Sequence, residues 1–369
     1  MINRRAMVAA MCIAALVAVA AAATSQGRRG AAPKVFGTQV ADTSGHWVKY
    51  NRSTCKFESV NSVGKHYKAV LRQETQKYRI AYAPEDQVLP FLLRQNKSIK
   101  AALTRIGVDW KLWDNQVLNP AVANTQPIQN AQQIAAYKPR VVLWMNVLSA
   151  LTPASMKIFN DACIPVVQFD IAPDPNSVFF GSNQLASGIV AANFAAKIIK
   201  QRNWDLSQTW VVVGGHLSAF GNAPGSAQER VTSYVNQLTK VVKGITPDHT
   251  AVLDCPDTAG CRSVMADWLT SHPEAKFITG DAVNDQRELG IYDALKAAGF
   301  TNNAVLVGIG EEPAAVTLID QHDPMYVGSV QYFPERRGLF AVPLAQDIAH
   351  DQPVPQALYI PLGVYSGKQ

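Results

Sequence analysis

The sequence predicts an α/β fold built as two similar, doubly wound parallel-sheet lobes joined by a multi-strand hinge. Three observations carry that prediction. Short apolar segments alternate with amphipathic ones from Arg79 to Gln331, the short segments are apolar on both faces, and the alternation forms two consecutive series that meet after Gly181. A strand covered by helices on both sides must be apolar on both faces, as Val141, Val142, Leu143 and Trp144 are. With 369 residues, 48% hydrophobic and 17% charged, the chain is long enough to bury two cores.

Arg4 and Arg5 precede an apolar run from Ala6 to Val19 that ends in the small residues Ala20 to Ala23. This is the layout of a secretory leader, so residues 1–23 are expected to be a signal peptide cut near Ala23, with a soluble mature protein in the periplasm. The run is too short for a permanent span, and no later segment offers about 20 uninterrupted apolar residues. A lipoprotein anchor at Cys12 is the competing reading, but Ala9, Ala10 and Met11 fit a lipidation signal poorly. Residues 24–76 carry no sustained period and are expected to form an irregular extension on the outside of the fold.

In the first series, strand Arg79 to Ala83 is followed by a helix from about Leu89 to Ile106, with Leu92, Ile99, Leu103 and Ile106 on one face and Gly107 as its stop. Strands near Trp110 to Trp113, Arg140 to Met145 and Ile164 to Phe169 alternate with helices Pro127 to Tyr137 and Pro153 to Ala162. The second series contains strands Trp210 to Val213, Thr250 to Asp254, Lys276 to Thr279, Ala304 to Gly308 and Tyr326 to Gln331. Its helices are Gln184 to Lys200, Ala227 to Val242, Arg262 to Ser271, Asp285 to Ala298 and Pro313 to Asp320. A last helix, Arg337 to His350, returns between the lobes. The first lobe is expected to hold 77–181 plus about 332–356, and the second 182–331 plus about 357–369.

Outside the leader, four cysteines remain for an oxidising compartment. Cys255 and Cys261 enclose a short loop that closes easily, which leaves Cys55 and Cys163 to staple the extension to the first lobe. A four-cysteine zinc site would need paired C-x-x-C spacing, which is absent.

In open α/β sheets ligands bind beyond the carboxyl ends of strands. Here those ends deliver Glu85, Asp86 and Phe91, then Asp170, a glycine-rich stretch running to Arg230, Asp257 and Thr258, Asp281 and Asn284, Glu311, and Gln331 with Tyr332. Carboxylates, amides and an arginine, with an aromatic ring for each apolar face, suit a sugar whose hydroxyls donate and accept.

The segments "CIPVVQFD" (163–170), "FFGSNQLASGIVAANFAAKII" (179–199), "GSAQERVTSY" (225–234), "HPEAKFITGD" (272–281), "AVLVGIGEEP" (304–313) and "VGSVQYFPERRG" (327–338) carry a resemblance. In their order and spacing the chain resembles the ribose-binding type of periplasmic sugar-binding protein over about 77–369. The resemblance implies a monomeric type I periplasmic binding protein that hands a sugar or polyol to an ABC transporter permease. The alternative partner is a membrane histidine-kinase receptor. It further implies sugar contacts from Asp170, Arg230, Phe91 and either Gln331 or Tyr332. Three positions depart from the family pattern: Ile171 replaces an arginine, Gly310 with Glu311 beside it replaces an aspartate, and Gly280 replaces an amide, with Asp281 and Asn284 following. Replacing Asp170 or Arg230 by Ala is expected to abolish binding while leaving the melting temperature of the empty protein nearly unchanged.

Other classes fit less well. The stretch "GGHLSAFGNAPGS" (214–226) lacks the Gly-Lys-Ser/Thr end of a phosphate loop and the dinucleotide spacing. No G-x-S-x-G elbow or H-E-x-x-H appears, and His216 is an ordinary histidine near a strand end. Glu311 and Glu312 are adjacent, and sequence neighbours seldom face one site, which weakens a glycosidase reading. A DNA-binding regulator would need a helix-turn-helix where this chain has a leader, and much of the +6 net charge lies in or just after that leader. No enzyme activity, cofactor, metal or nucleic-acid partner is expected.

Overall fold

The computed structural model describes residues 33–61, 64–170, 174–215, 227–246 and 248–368. The leader, Ile171 and the glycine-rich stretch from His216 to Ser226 lie outside the described residues.

The first sheet contains β5 (Arg79–Ala83), β6 (Asp109–Leu112), β7 (Val141–Trp144), β8 (Val166–Phe169) and β9 (Val178–Gly181), all parallel. Along these strands alternate residues serve two different cores. Ile80, Tyr82, Leu143 and Phe169 pack with α1 (Pro90–Ile106) and α9 (Gly338–Ala349), whereas Ala81, Val142, Trp144 and Val166 pack with α2 (Gln126–Tyr137) and α3 (Thr152–Asp161). Two-sided burial is what the all-apolar runs encode.

The second sheet repeats the plan with β10 (Thr209–Gly215), β11 (Thr250–Asp254), β12 (Phe277–Ala282), β13 (Ala304–Ile309) and β14 (Tyr326–Gln331). One face carries α4 (Gln184–Arg202) and α5 (Gln228–Val241); the other carries α6 (Thr258–Ser271), α7 (Asp285–Ala297) and α8 (Pro313–Asp320). In both sheets the second strand of the series lies outside the first, so the spatial order is 2-1-3-4-5 twice over. The strand ends of each series therefore open on the same side of their helices.

Two expectations need correction. The described residues of 33–72 are not irregular: among them are β1 (Val35–Thr43), β2 (Trp47–Asn51), β3 (Lys56–Val60) and β4 (His66–Arg72). In β4 the buried Tyr67, Ala69 and Leu71 alternate with His66, Lys68 and Val70, the period-two pattern of a strand with one face on a core. Strands β1 and β4 pair antiparallel and, with β16 (Ala357–Tyr359), extend the first sheet to eight strands. The C-terminal tail, expected wholly on the second lobe, divides. Strand β16 (Ala357–Tyr359) pairs parallel with β9 and antiparallel with β1, whereas β17 (Gly363–Tyr365) pairs with β14 of the second sheet. The chain thus passes between the sheets three times, after β9, β14 and β16. A small third sheet joins β15 (Val354–Pro355), β2 and β3.

Disulfides join Cys55 to Cys163 and Cys255 to Cys261. The first ties the β2–β3 turn to the end of α3. The second ties the end of β11 to the first turn of α6.

Candidate functional site

A cavity of about 600 Å³ lies between the strand ends of the two sheets and draws lining residues from both. On the first-lobe side, Glu85 follows β5 and Phe91 opens α1. Pro90 starts that helix with φ already suited to it, and Gly107 in the left-handed region stops it. The first turn of α1 has no acidic residue and no side-chain cap of its own. Its Phe91 N–H instead donates to Oε1 of Glu312, 3.3 Å away on the second lobe. A carboxylate at a helix N-terminus meets both an orphan donor and the positive end of the dipole.

Asp170 directly follows β8 with φ at +57°, and the carboxylate turns inward. The guanidinium of Arg337 holds both of its oxygens, and the Ser182 N–H donates to Oδ1 at 3.2 Å. Arg337 is fully buried, donates also to Gln95 Oε1 at 2.6 Å, and lies over the Phe91 ring at 5.0 Å. Gly181 is required here, because a Cβ on it would stand 2.3 Å from Asp170 Oδ1.

On the second-lobe side, Arg230 in the first turn of α5 donates from Nε to Gln184 Oε1 at 2.6 Å and from one terminal nitrogen to the Val283 carbonyl at 2.5 Å. Its guanidinium lies 5.0 Å from the centre of the Tyr332 ring, and the Tyr332 hydroxyl donates to Ser187 Oγ at 2.8 Å. Asn284 caps α7 through the Arg287 N–H, and Arg287 in turn donates to the carbonyls of Cys255 and Pro256 at 3.2 and 2.5 Å. Asp257 caps α6 through the Gly260 N–H at 2.8 Å. The polar groups of this side are therefore oriented by helix starts and by backbone carbonyls.

Of the residues singled out from sequence, Phe91, Asp170, Arg230, Asn284 and Tyr332 line this cavity, and Asp281, Glu311 and Gln331 do not. Asp281 stands inside β12, which continues to Ala282 rather than ending at Thr279, and it is fully buried within the second lobe. Glu311 has φ at +56° directly after Gly310 at +120°, so the chain turns and the side chain meets Gln331 Nε2 at 2.8 Å, away from the cavity. The neighbouring Glu312 takes the cavity position. This also separates Tyr332, which lines the cavity, from Gln331, which does not. Sequence reasoning passed over Arg287, Glu312 and Arg337. The first two sit one helical turn or one residue from a selected position. Arg337 is brought to Asp170 by a helix 167 residues further along, a juxtaposition with no local signal.

Burial perturbs several acids. The Glu85 carboxyl is pushed up to about 8, first by burial and then by the nearby negative charges of Asp170 and Asp86, with Arg230 and Arg287 opposing. It has no hydrogen-bond partner among the described residues. Burial also raises Glu312 and, in the second-lobe interior, Asp281 and Glu288, and it moves Asp285 up to about 6. No group of three or more His, Cys, Asp or Glu side chains is placed to hold a metal among the described residues, and no described helix is long and apolar enough to cross a membrane.

Residues 80–352 match the model of the periplasmic binding protein domain. The chain belongs to the periplasmic binding protein family. No curated protein sequence matches it. Among solved structures, this periplasmic binding protein is similar to an ABC transporter solute binding protein from Bacillus halodurans C-125 with bound myo-inositol, at TM-score 0.65 and 18% identity, covering 79% of this chain and 96% of that one. It is also similar to a periplasmic solute binding protein from Actinobacillus succinogenes 130z with bound D-allose, at 0.64 and 16%, covering 78% and 97%. A third, a solute binding protein from Mycobacterium smegmatis with bound glycerol, matches at 0.63 and 20%, covering 79% and 94%. The family match begins at Ile80, so the strands β1 to β4 precede it.

Proposed function

We propose that this periplasmic binding protein captures a small neutral polar ligand, a sugar or polyol, between its lobes and delivers it to an ABC transporter permease. The observation that carries the reading is a single cavity at the strand ends of both sheets, with Arg230 pinned by Gln184 and Val283 on one side and the Asp170–Arg337 pair on the other. Oriented donors and acceptors on two bodies favour whichever arrangement lets one ligand meet both. Hinge closure about the three connecting segments is the motion this implies. Related structures described with allose, inositol and glycerol support the ligand class, and their description as ABC transporter components favours transport over sensing.

In this reading the ligand contacts come from Phe91, Asp170, Arg230, Asn284 and Tyr332, together with Glu85, Arg287 and Glu312. The protein is exported behind a leader cut near Ala23, acts as a monomer, and performs no reaction. A thermal-shift screen of pentoses, hexoses, polyols, amino acids and purines tests it. A ligand at a hundred times its dissociation constant adds about 2.7 kcal/mol of stability. Stabilisation by amino acids or purines alone would refute the sugar or polyol reading.

A further inference from the structure

The two sides of the cavity differ in chemistry. Among the described residues the first-lobe wall is hydrocarbon, with Phe91 and Leu92 on α1, Val117 and Leu118 after β6, and Val147 and Leu148 after β7. Only Glu85, Thr152 and Asp170 interrupt it, and Asp170 already accepts from Arg337 and Ser182. The second-lobe wall presents Arg230, Asp257, Thr258, Asn284, Gln286 and Arg287. Among the described residues, the two aromatics that line the cavity do not form parallel plates for a sugar ring. Phe91 and Tyr332 meet edge to face at 6.3 Å and 71°, which leaves no room for a ring between them.

We infer that the cavity selects a two-faced ligand, a sugar or polyol in which one contiguous flank is hydrocarbon, as in a deoxy or O-methyl derivative, with its hydroxylated edge toward Arg230 and Arg287 and its first-lobe polar contacts confined to Glu85 and Asp170. This deepens the proposed function and rests on it. A hydroxyl pressed against Val117, Leu118 and Val147 would give up its water and find no partner there. A methyl or methylene at the same place removes apolar surface from water on both sides. Glu85 is the acid on that wall whose carboxyl has no hydrogen bond among the described residues, so it is the acid there most open to a ligand hydroxyl.

The test is titration calorimetry of the full-length protein with matched pairs: D-galactose against 6-deoxy-D-galactose, D-glucose against 6-deoxy-D-glucose, D-ribose against 5-deoxy-D-ribose, and myo-inositol against its mono-O-methyl ether. The expected result is a preference of about 10- to 100-fold for the deoxy or methylated member of at least one pair. The variants Leu118→Asn and Val147→Thr place a polar group on the hydrocarbon wall at positions that are not fully buried, Leu118 being 43% exposed. Either one that folds should bring that ratio to within about threefold. Equal or tighter binding of the fully hydroxylated partners, or a ratio unmoved by both variants, overturns the inference while leaving the sugar reading intact. Failure of every member of every pair to bind removes the sugar reading and this inference with it.

Discussion

The two lobes have the same strand order and the same two-sided helix cover, yet the walls they turn toward each other are built by different means. In the second lobe, Arg230, Arg287, Asn284 and Asp257 are each fixed by a helix start or a backbone carbonyl, so their polar atoms arrive oriented. In the first lobe the conspicuous polar residues are inward-facing: Asp170 is held by Arg337, and the buried Glu85 carboxyl has no hydrogen-bond partner among the described residues. A shared topology decides where a ligand can sit. The side chains at the strand ends decide which of the two walls reads it.

One of the two large expected effects separates these walls by stability. Asp170→Ala leaves Arg337 buried and uncompensated, so urea unfolding should show a loss of about 3–5 kcal/mol, whereas Arg230→Ala should cost far less. The expectation of an unchanged melting temperature is therefore kept for Arg230→Ala and revised for Asp170→Ala. If Asp170→Ala unfolds at the wild-type urea midpoint, the pair is not the support of the first wall. A hydrophobic double replacement, Asp170→Leu with Arg337→Met, should recover much of the loss.

Next is the disulfide pair. Serine replacement of Cys55 and Cys163 opens a loop of separation 108 and should cost roughly 4–5 kcal/mol on the chain-entropy scale. Replacement of Cys255 and Cys261, separated by 6, should cost about 2 kcal/mol, measured in the same unfolding assay. An equal loss from both would mean that entropy of the open chain is not what distinguishes them.

The third prediction concerns pH. Glu85, Asp285, Asp281 and Glu288 all have folded values above their unfolded ones, so the folded chain holds protons that the unfolded chain releases. The Glu85 contribution is complete below about pH 4 and is lost as pH rises through about 8, that of Asp285 is lost through about 6, and Asp281 and Glu288 act in the same direction, so stability should increase on going from pH 8 to pH 5, by on the order of 1 kcal/mol per pH unit for each group still protonated only in the folded chain. Glu85→Gln should flatten the slope on the first-lobe side of the comparison; a wild-type slope in that variant would remove Glu85 from the account.

The smallest effect lies where the lobes touch. Arg94 on α1 donates to the carbonyls of Gly310 and Glu311 at 3.2 and 2.8 Å, beside the Glu312 bond to Phe91. Glu312→Gln or Arg94→Ala should weaken ligand binding about threefold to tenfold, roughly 1 kcal/mol, and enlarge the unliganded radius of gyration in small-angle scattering. An unchanged radius in both would show that these bonds do not bias closure.

The fold was legible because buried parallel strands leave an unmistakable apolar run and their helices leave a 3.6-residue period. The disulfides were legible because a short loop admits one partner. Strands β1 to β4 escaped because their alternation is interrupted by lysines and short turns, although Tyr67, Ala69 and Leu71 carried the signal. At the site, positions directly after strands could be read as near the cavity, but not which neighbour faces it. The left-handed turn at Gly310 and Glu311 exchanged Glu312 for Glu311, and the longer β12 drew Asp281 inward. Arg337 could not be read at all, since its partner is set by a crossing between lobes.

The pairing of β1 with β16 has a practical consequence for anyone trimming the protein to the length of its relatives. A chain begun near Ile80 would lose the partner strand of its third interlobe connection and lay bare the surface now covered by Tyr67, Ala69 and Leu71. The extra strands are masonry rather than ornament, and the shortened version should be the less soluble one.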